Sequence, residues 1–104
     1  MVLGKYSNQG LAGFIQNPDD DRKAAISTMM EKAGVKLLEL HIMRGEYDIA
    51  VIGEADSFED VAAVKLLVAA SGAVTNITIL EMIDMNAISR KASAISGSYR
   101  APGA

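Results

Sequence analysis

Two apolar runs separated by five residues constrain this chain more than any other feature: Val35–Met43 and Ile49–Gly53 flank Arg44-Gly45-Glu46-Tyr47-Asp48. So short a connection returns the second run antiparallel to the first, and a polar segment holding one glycine suits a β-hairpin. Before the turn, alternation sends Leu38, Leu40 and Ile42 to one side and Leu37, Glu39, His41 and Met43 to the other. After it, Ile49, Ala50, Val51 and Ile52 are apolar on both faces, as in a central strand covered on both sides.

Flanking signals complete the fold. Val2–Tyr6 predicts a first strand, Ser7-Asn8-Gln9-Gly10 a turn, and residues 11–17 a loop or single helical turn. Pro18 and the carboxylates of Asp19, Asp20 and Asp21 suit a helix start, with Gly34 as its stop. Ile26, Met29, Met30 and Ala33 share the side of that helix that faces a sheet. Ser57 followed by Asp60 resembles a capping box and opens a second helix with Val61, Val64, Leu67 and Val68 as its stripe, ending before Gly72. Residues 74–82 predict the last strand, with Thr75, Ile77, Ile79 and Glu81 on one face and Val74, Asn76, Thr78, Leu80 and Met82 on the other.

The order strand-helix-strand-strand-helix-strand, with right-handed crossovers, is a ferredoxin-like βαββαβ sandwich of the α+β class. It predicts a four-stranded antiparallel sheet with two helices on one face. Met85, Ile88, Ala92 and Ile95 predict an additional C-terminal helix. The expected organisation is a domain over 1–84, a helix over 85–95 and a flexible tail over 96–104.

Composition narrows the function. A net charge of −3 without a Lys/Arg cluster argues against nucleic acid. The chain has no cysteine and one histidine, so thiolate chemistry is excluded and neither a metal nor a cofactor is expected. The N-terminus lacks the apolar core of a signal peptide, and no stretch reaches membrane-spanning length. A cytoplasmic protein with no membrane partner is expected.

Leu37, His41, Met43, Val74, Leu80 and Met82 should lie on the face that the helices leave open, among Glu39, Asn76 and Thr78. So large an apolar surface calls for a cover. A second copy of the same sheet gives a homo-oligomer, a dimeric α/β barrel; the C-terminal helix, in cis or exchanged, is the competing cover.

Candidate site residues are few. His41, on that face, suits a general base, an axial haem ligand or an interface histidine. Tyr47 and Asp48 suit either a polar ligand or the hydrogen bonding that fixes hairpin register. Lys5 and Tyr6, near Asp48 and Asn76, could form a polar cluster at one end of the sheet.

Gly4-Lys5-Tyr6, Asn8-Gln9-Gly10, Gly34, Arg44-Gly45-Glu46-Tyr47-Asp48 and Gly72-Ala73-Val74-Thr75-Asn76, in this order, resemble the GYD-domain family over residues 2–85. The resemblance implies a small cytoplasmic protein of ferredoxin-like fold without an established activity, serving as a ligand-binding or assembly module. Residues 35–83 are also similar to the effector-sensing domain of feast/famine regulators, which would imply an amino-acid sensor here without a DNA-binding part. Similarity to dimeric α/β-barrel enzymes would imply a monooxygenase or isomerase using His41 as acid/base with Lys5, Tyr6 or Asn76.

Overall fold

A computed structural model describes residues 1–104. The strands are β1 (Val2–Tyr6), β2 (Lys36–Ile42), β3 (Ile49–Glu54) and β4 (Val74–Ile79). The helices are α1 (Asn8–Gln16), α2 (Arg22–Lys32), α3 (Phe58–Ala70) and α4 (Met85–Ala94). The sheet runs β2-β3-β1-β4 and every pairing is antiparallel, the ferredoxin-like arrangement. No helix is long and apolar enough to cross a membrane.

The first crossover contains two helices rather than one. The Ser7 side chain accepts from the Gly10 amide at 3.2 Å and caps α1, so the expected turn and loop over residues 7–17 are nine residues of helix. Asp21 caps α2 and Ser57 caps α3, accepting from the Asp60 amide at 3.4 Å. In the hairpin the Met43 amide donates to the Asp48 carbonyl at 2.7 Å. Gly45 turns the loop at φ 142°, a conformation open chiefly to glycine.

Two bulges correct the expected faces. β2 carries an extra residue at Leu38, between the pairs Leu37↔Gly53 and Glu39↔Ile52. Leu37 therefore packs toward the core with Leu40, not on the open face. In β4, Leu3 pairs with Thr78 and Lys5 with Thr75, which leaves one extra residue where Asn76 takes φ 52°. Val74 thereby joins Ile77 on the helix side. The open face carries Leu3, Ala50 and Ile52 among Lys5, Glu39, His41, Thr75 and Thr78, a smaller apolar surface than strict alternation predicts.

The core proper is small: Met30, Val35, Ile49 and Val51, with Ile26, Met29, Leu37, Leu40 and Val64 packed around it. The last strand ends at Ile79, three residues earlier than expected, and every residue from Leu80 onward is exposed. The radius of gyration is 18.3 Å, against about 13 Å for a compact chain of this length.

Candidate functional site

The sheet and its helices do not close on one another. Between them lies a cavity of about 590 Å³, floored by Val2, Ile49 and Val51 and walled by α1, α2 and α3. Val61, Val64 and Val68 line its α3 side, and none of the α3 residues is fully buried. Gly13 of α1 faces the space with no atom within 4 Å of where a Cβ would stand. The lining is mostly apolar and the volume suits one small molecule.

Polar groups meet at one end. The Tyr6 ring stands edge-on to Phe14, centroids 5.0 Å apart at 84°. Its hydroxyl is buried and makes no well-formed hydrogen bond, although the Arg22 guanidinium lies close enough to act on it as a weak donor. An unpartnered buried hydroxyl costs about 1–3 kcal/mol unless a guest satisfies it. Burial raises the Tyr6 pKa; the nearby Arg22 guanidinium opposes that rise without cancelling it. Arg22 donates to Asp20 at 2.9 Å, and this bond raises the Arg22 pKa further. The polar end thus offers a phenol and an ion pair beside an apolar chamber.

Of the expected site residues, Tyr6 alone lines the cavity. Asp48 is tied to Tyr6 through the main chain, its carboxylate accepting from the Tyr6 amide at 2.8 Å. Lys5 lies on the open face with its Nζ 5.8 Å from the Tyr47 ring centroid, a cation–π distance. His41, also on the open face, is 56% exposed, with Nε2 3.6 Å from Glu39. Asn76 is exposed in the β4 bulge. The six candidates therefore fall on both sides of the sheet rather than into one cluster.

Phe14, Asp20 and Arg22 complete the polar end and were not singled out by the sequence. One signal does point to Arg22: a cation in the first turn of a helix opposes the helix dipole, so another partner must hold it there.

Residues 1–80 thus build an α+β sandwich of ferredoxin-like topology with an open apolar cleft between sheet and helices and Tyr6 at one end of it. The family model of the GYD domain matches residues 1–92, and the chain belongs to that family. No curated protein and no solved structure matches it significantly.

Proposed function

We propose that this GYD domain is a binding module that takes a small apolar molecule with one hydrogen-bonding head group into the chamber between sheet and helices. The observation that carries this reading is a 590 Å³ apolar cavity lined in part by Tyr6, whose buried hydroxyl makes no well-formed hydrogen bond. A guest supplying a hydroxyl, carbonyl or carboxylate would satisfy Tyr6, while its apolar body would displace water from Val51, Val64 and Val68. The Asp20–Arg22 pair stands beside the head group, with Arg22 able to donate to an acceptor on the guest.

His41 lies on the opposite face of the sheet, so the chamber is read as a receptor rather than as a reaction site built on that imidazole.

The reading is tested with octanoate, 1-octanol and 4-ethylphenol as probes, by thermal unfolding and native mass spectrometry. A guest at a hundred times its Kd stabilises the fold by about 2.7 kcal/mol. For a chain of this size that raises Tm by roughly 10 °C or more. Tyr6→Phe should weaken binding about tenfold, the value of one hydrogen bond near 1.4 kcal/mol. A folded protein that neither shifts nor retains any of the three probes overturns the proposal.

A further inference from the structure

The second unexplained feature is a pair of unpartnered helices with opposite charge. Phe58-Glu59-Asp60-Val61-Ala62-Ala63-Val64-Lys65-Leu66-Leu67-Val68-Ala69-Ala70, the whole of α3, is apolar nearly all round. A helix of that kind belongs in an interior, not on a surface. Its inward side chains line the cavity, yet Phe58 and Leu66 point outward with 70% and 73% of their surface exposed. Ala62 and Ala69 lie between and beyond them on the same outward side, small enough for another helix to approach closely.

The complement is α4. Met85, Ile88 and Ile95 share one side of it and its cap, and are 60%, 48% and 63% exposed. Its charged residues are Arg90 and Lys91, both basic. Residues 1–84 carry thirteen Asp and Glu against seven Lys and Arg, whereas residues 85–104 carry three Lys and Arg and no acid. Acidic charge is dense where α3 begins: Glu54, Asp56, Glu59 and Asp60 lie there, and Lys65 is the only basic residue of α3.

We infer that α4 of one chain docks its Met85–Ile88–Ile95 side along the outward face of α3 of a second copy, with Lys91, which flanks that side, toward the acidic start of that helix. The lengths match, about 15 Å for α4 against about 20 Å for α3. The shape fits as well: the molecule measures 62 × 29 × 23 Å, so the segment after β4 reaches well away from its own sandwich. Each arm holds its large apolar side chains from Leu80 to Tyr99 between 48% and 79% exposed. Reciprocal exchange of two arms doubles the surface that one arm buries, toward the roughly 1,200 Å² that a specific interface needs. A two-fold axis makes the exchange self-complementary, since each chain both gives α4 and receives it.

The absence of cysteine gives a direct test with full-length chains. A Leu66→Cys chain and an Ile88→Cys chain, mixed and oxidised, should form a mixed disulfide in preference to either homodimer. Light scattering of the parent chain should give a dimer, and Ile88→Asp should weaken it at least tenfold. That residue is half exposed on the projecting arm, so the sandwich should keep its circular dichroism. Lys91→Glu should weaken the dimer in the same direction, and Glu59→Lys in the same chain should restore it.

Three results would overturn the inference. One is a monomer at about 100 µM, where a specific interface of this size is saturated. Another is a dimer indifferent to Ile88→Asp that yields no mixed disulfide, the outcome for association through the open sheet face. The last is a disulfide that forms within one chain carrying both cysteines but never between chains, which marks docking in cis.

Discussion

The amide of Tyr6 donates to the carboxylate of Asp48 at 2.8 Å, and the amide of Asp48 donates to the carbonyl of Gly4 at 2.9 Å. Asp48 thus extends the β1–β3 ladder by one rung beyond Ile49, using its side chain where a strand would use a carbonyl. The last residue of the hairpin segment Arg44–Asp48 thus holds in place the strand that carries Tyr6. Asp48→Ala removes the acceptor and leaves the Tyr6 amide unpaired, at a cost of about 2 kcal/mol. Asp48→Asn keeps an acceptor without the charge and should cost about half as much. Urea unfolding of both variants, compared at equal m-value, checks the order.

Tyr6 should also make the fold sensitive to alkali. Burial raises its pKa above the ordinary value of 10.0, so the folded phenol keeps its proton where the unfolded one loses it. Across that window the unfolded state binds fewer protons, and stability falls as pH rises from about 10 toward the raised value. Below it Tyr6 contributes no slope. Phenolate absorbance should show one of the three tyrosines titrating late in the folded chain. Tyr6→Phe should remove both the late titration and that part of the stability loss, and its urea midpoint near neutral pH should match or exceed the parent's, because a buried hydroxyl without a well-formed hydrogen bond is gone.

Two glycines of one helix should respond oppositely to alanine. A Cβ on Gly10 would stand 2.4 Å from the Ala73 carbonyl oxygen, a backbone atom fixed by the Ser7 amide at 2.9 Å. Gly10→Ala must lift α1 off the start of β4 and should cost about 1–3 kcal/mol. Gly13→Ala meets nothing within 4 Å and should stabilise by about 0.5–1 kcal/mol through the helix backbone. Thermal unfolding of the two single variants is sufficient.

The fold was legible because its signals are local: the hairpin spacing, the stripe Ile26–Met29–Met30–Ala33, and the cap at Ser57, whereas the helix expected from Pro18–Asp20 starts later, at Arg22, with Asp21 as its cap. What escaped depends on departures from a period. Leu38 and Asn76 each add one residue to an edge strand, and one residue inverts every face that follows. Leu37 and Val74 were misplaced for that reason alone. The first helix escaped because Asn8, Gly10 and Gly13 weigh against helix, while Ser7 outweighs them by capping it and bonding the Gly72 carbonyl. The chamber was not legible at all. It depends on how far α3 stands from the sheet, a distance no residue pattern encodes, and its polar end draws Tyr6, Phe14 and Arg22 from three separate elements.

The β4 bulge can be tested where it is most exposed. Asn76 tolerates its left-handed φ of 52° better than most residues, and a β-branched one tolerates it worst. Asn76→Val should cost about 1–2 kcal/mol, and Asn76→Gly should be neutral within a few tenths. If both were equal, the bulge would not be fixing the faces of β4. Proteolysis of the two variants at the β4 edge reads the same distinction locally.

Enlarging a residue separates the filled part of the interior from the empty part. Met30 is 4% exposed and belongs to the packed cluster with Val35, Ile49 and Val51, so Met30→Ala should cost about 2–5 kcal/mol. Val64 on α3 packs at the edge of that cluster, is not fully buried, and borders the chamber from the helix side. Val64→Phe would be overpacking in a filled core, at about 1–3 kcal/mol, but here the ring enters open volume and buries its own surface. The variant should unfold at higher urea, by about 1 kcal/mol, because the added apolar area is withdrawn from water. It should also bind octanoate, 1-octanol and 4-ethylphenol at least tenfold more weakly, since the ring occupies the space a guest needs. A Val64→Phe chain that loses stability would mean that α3 already rests on the sheet in solution. One that gains stability and still binds would place the guest elsewhere. Only stability gained together with binding lost fits a chamber held open beside Tyr6.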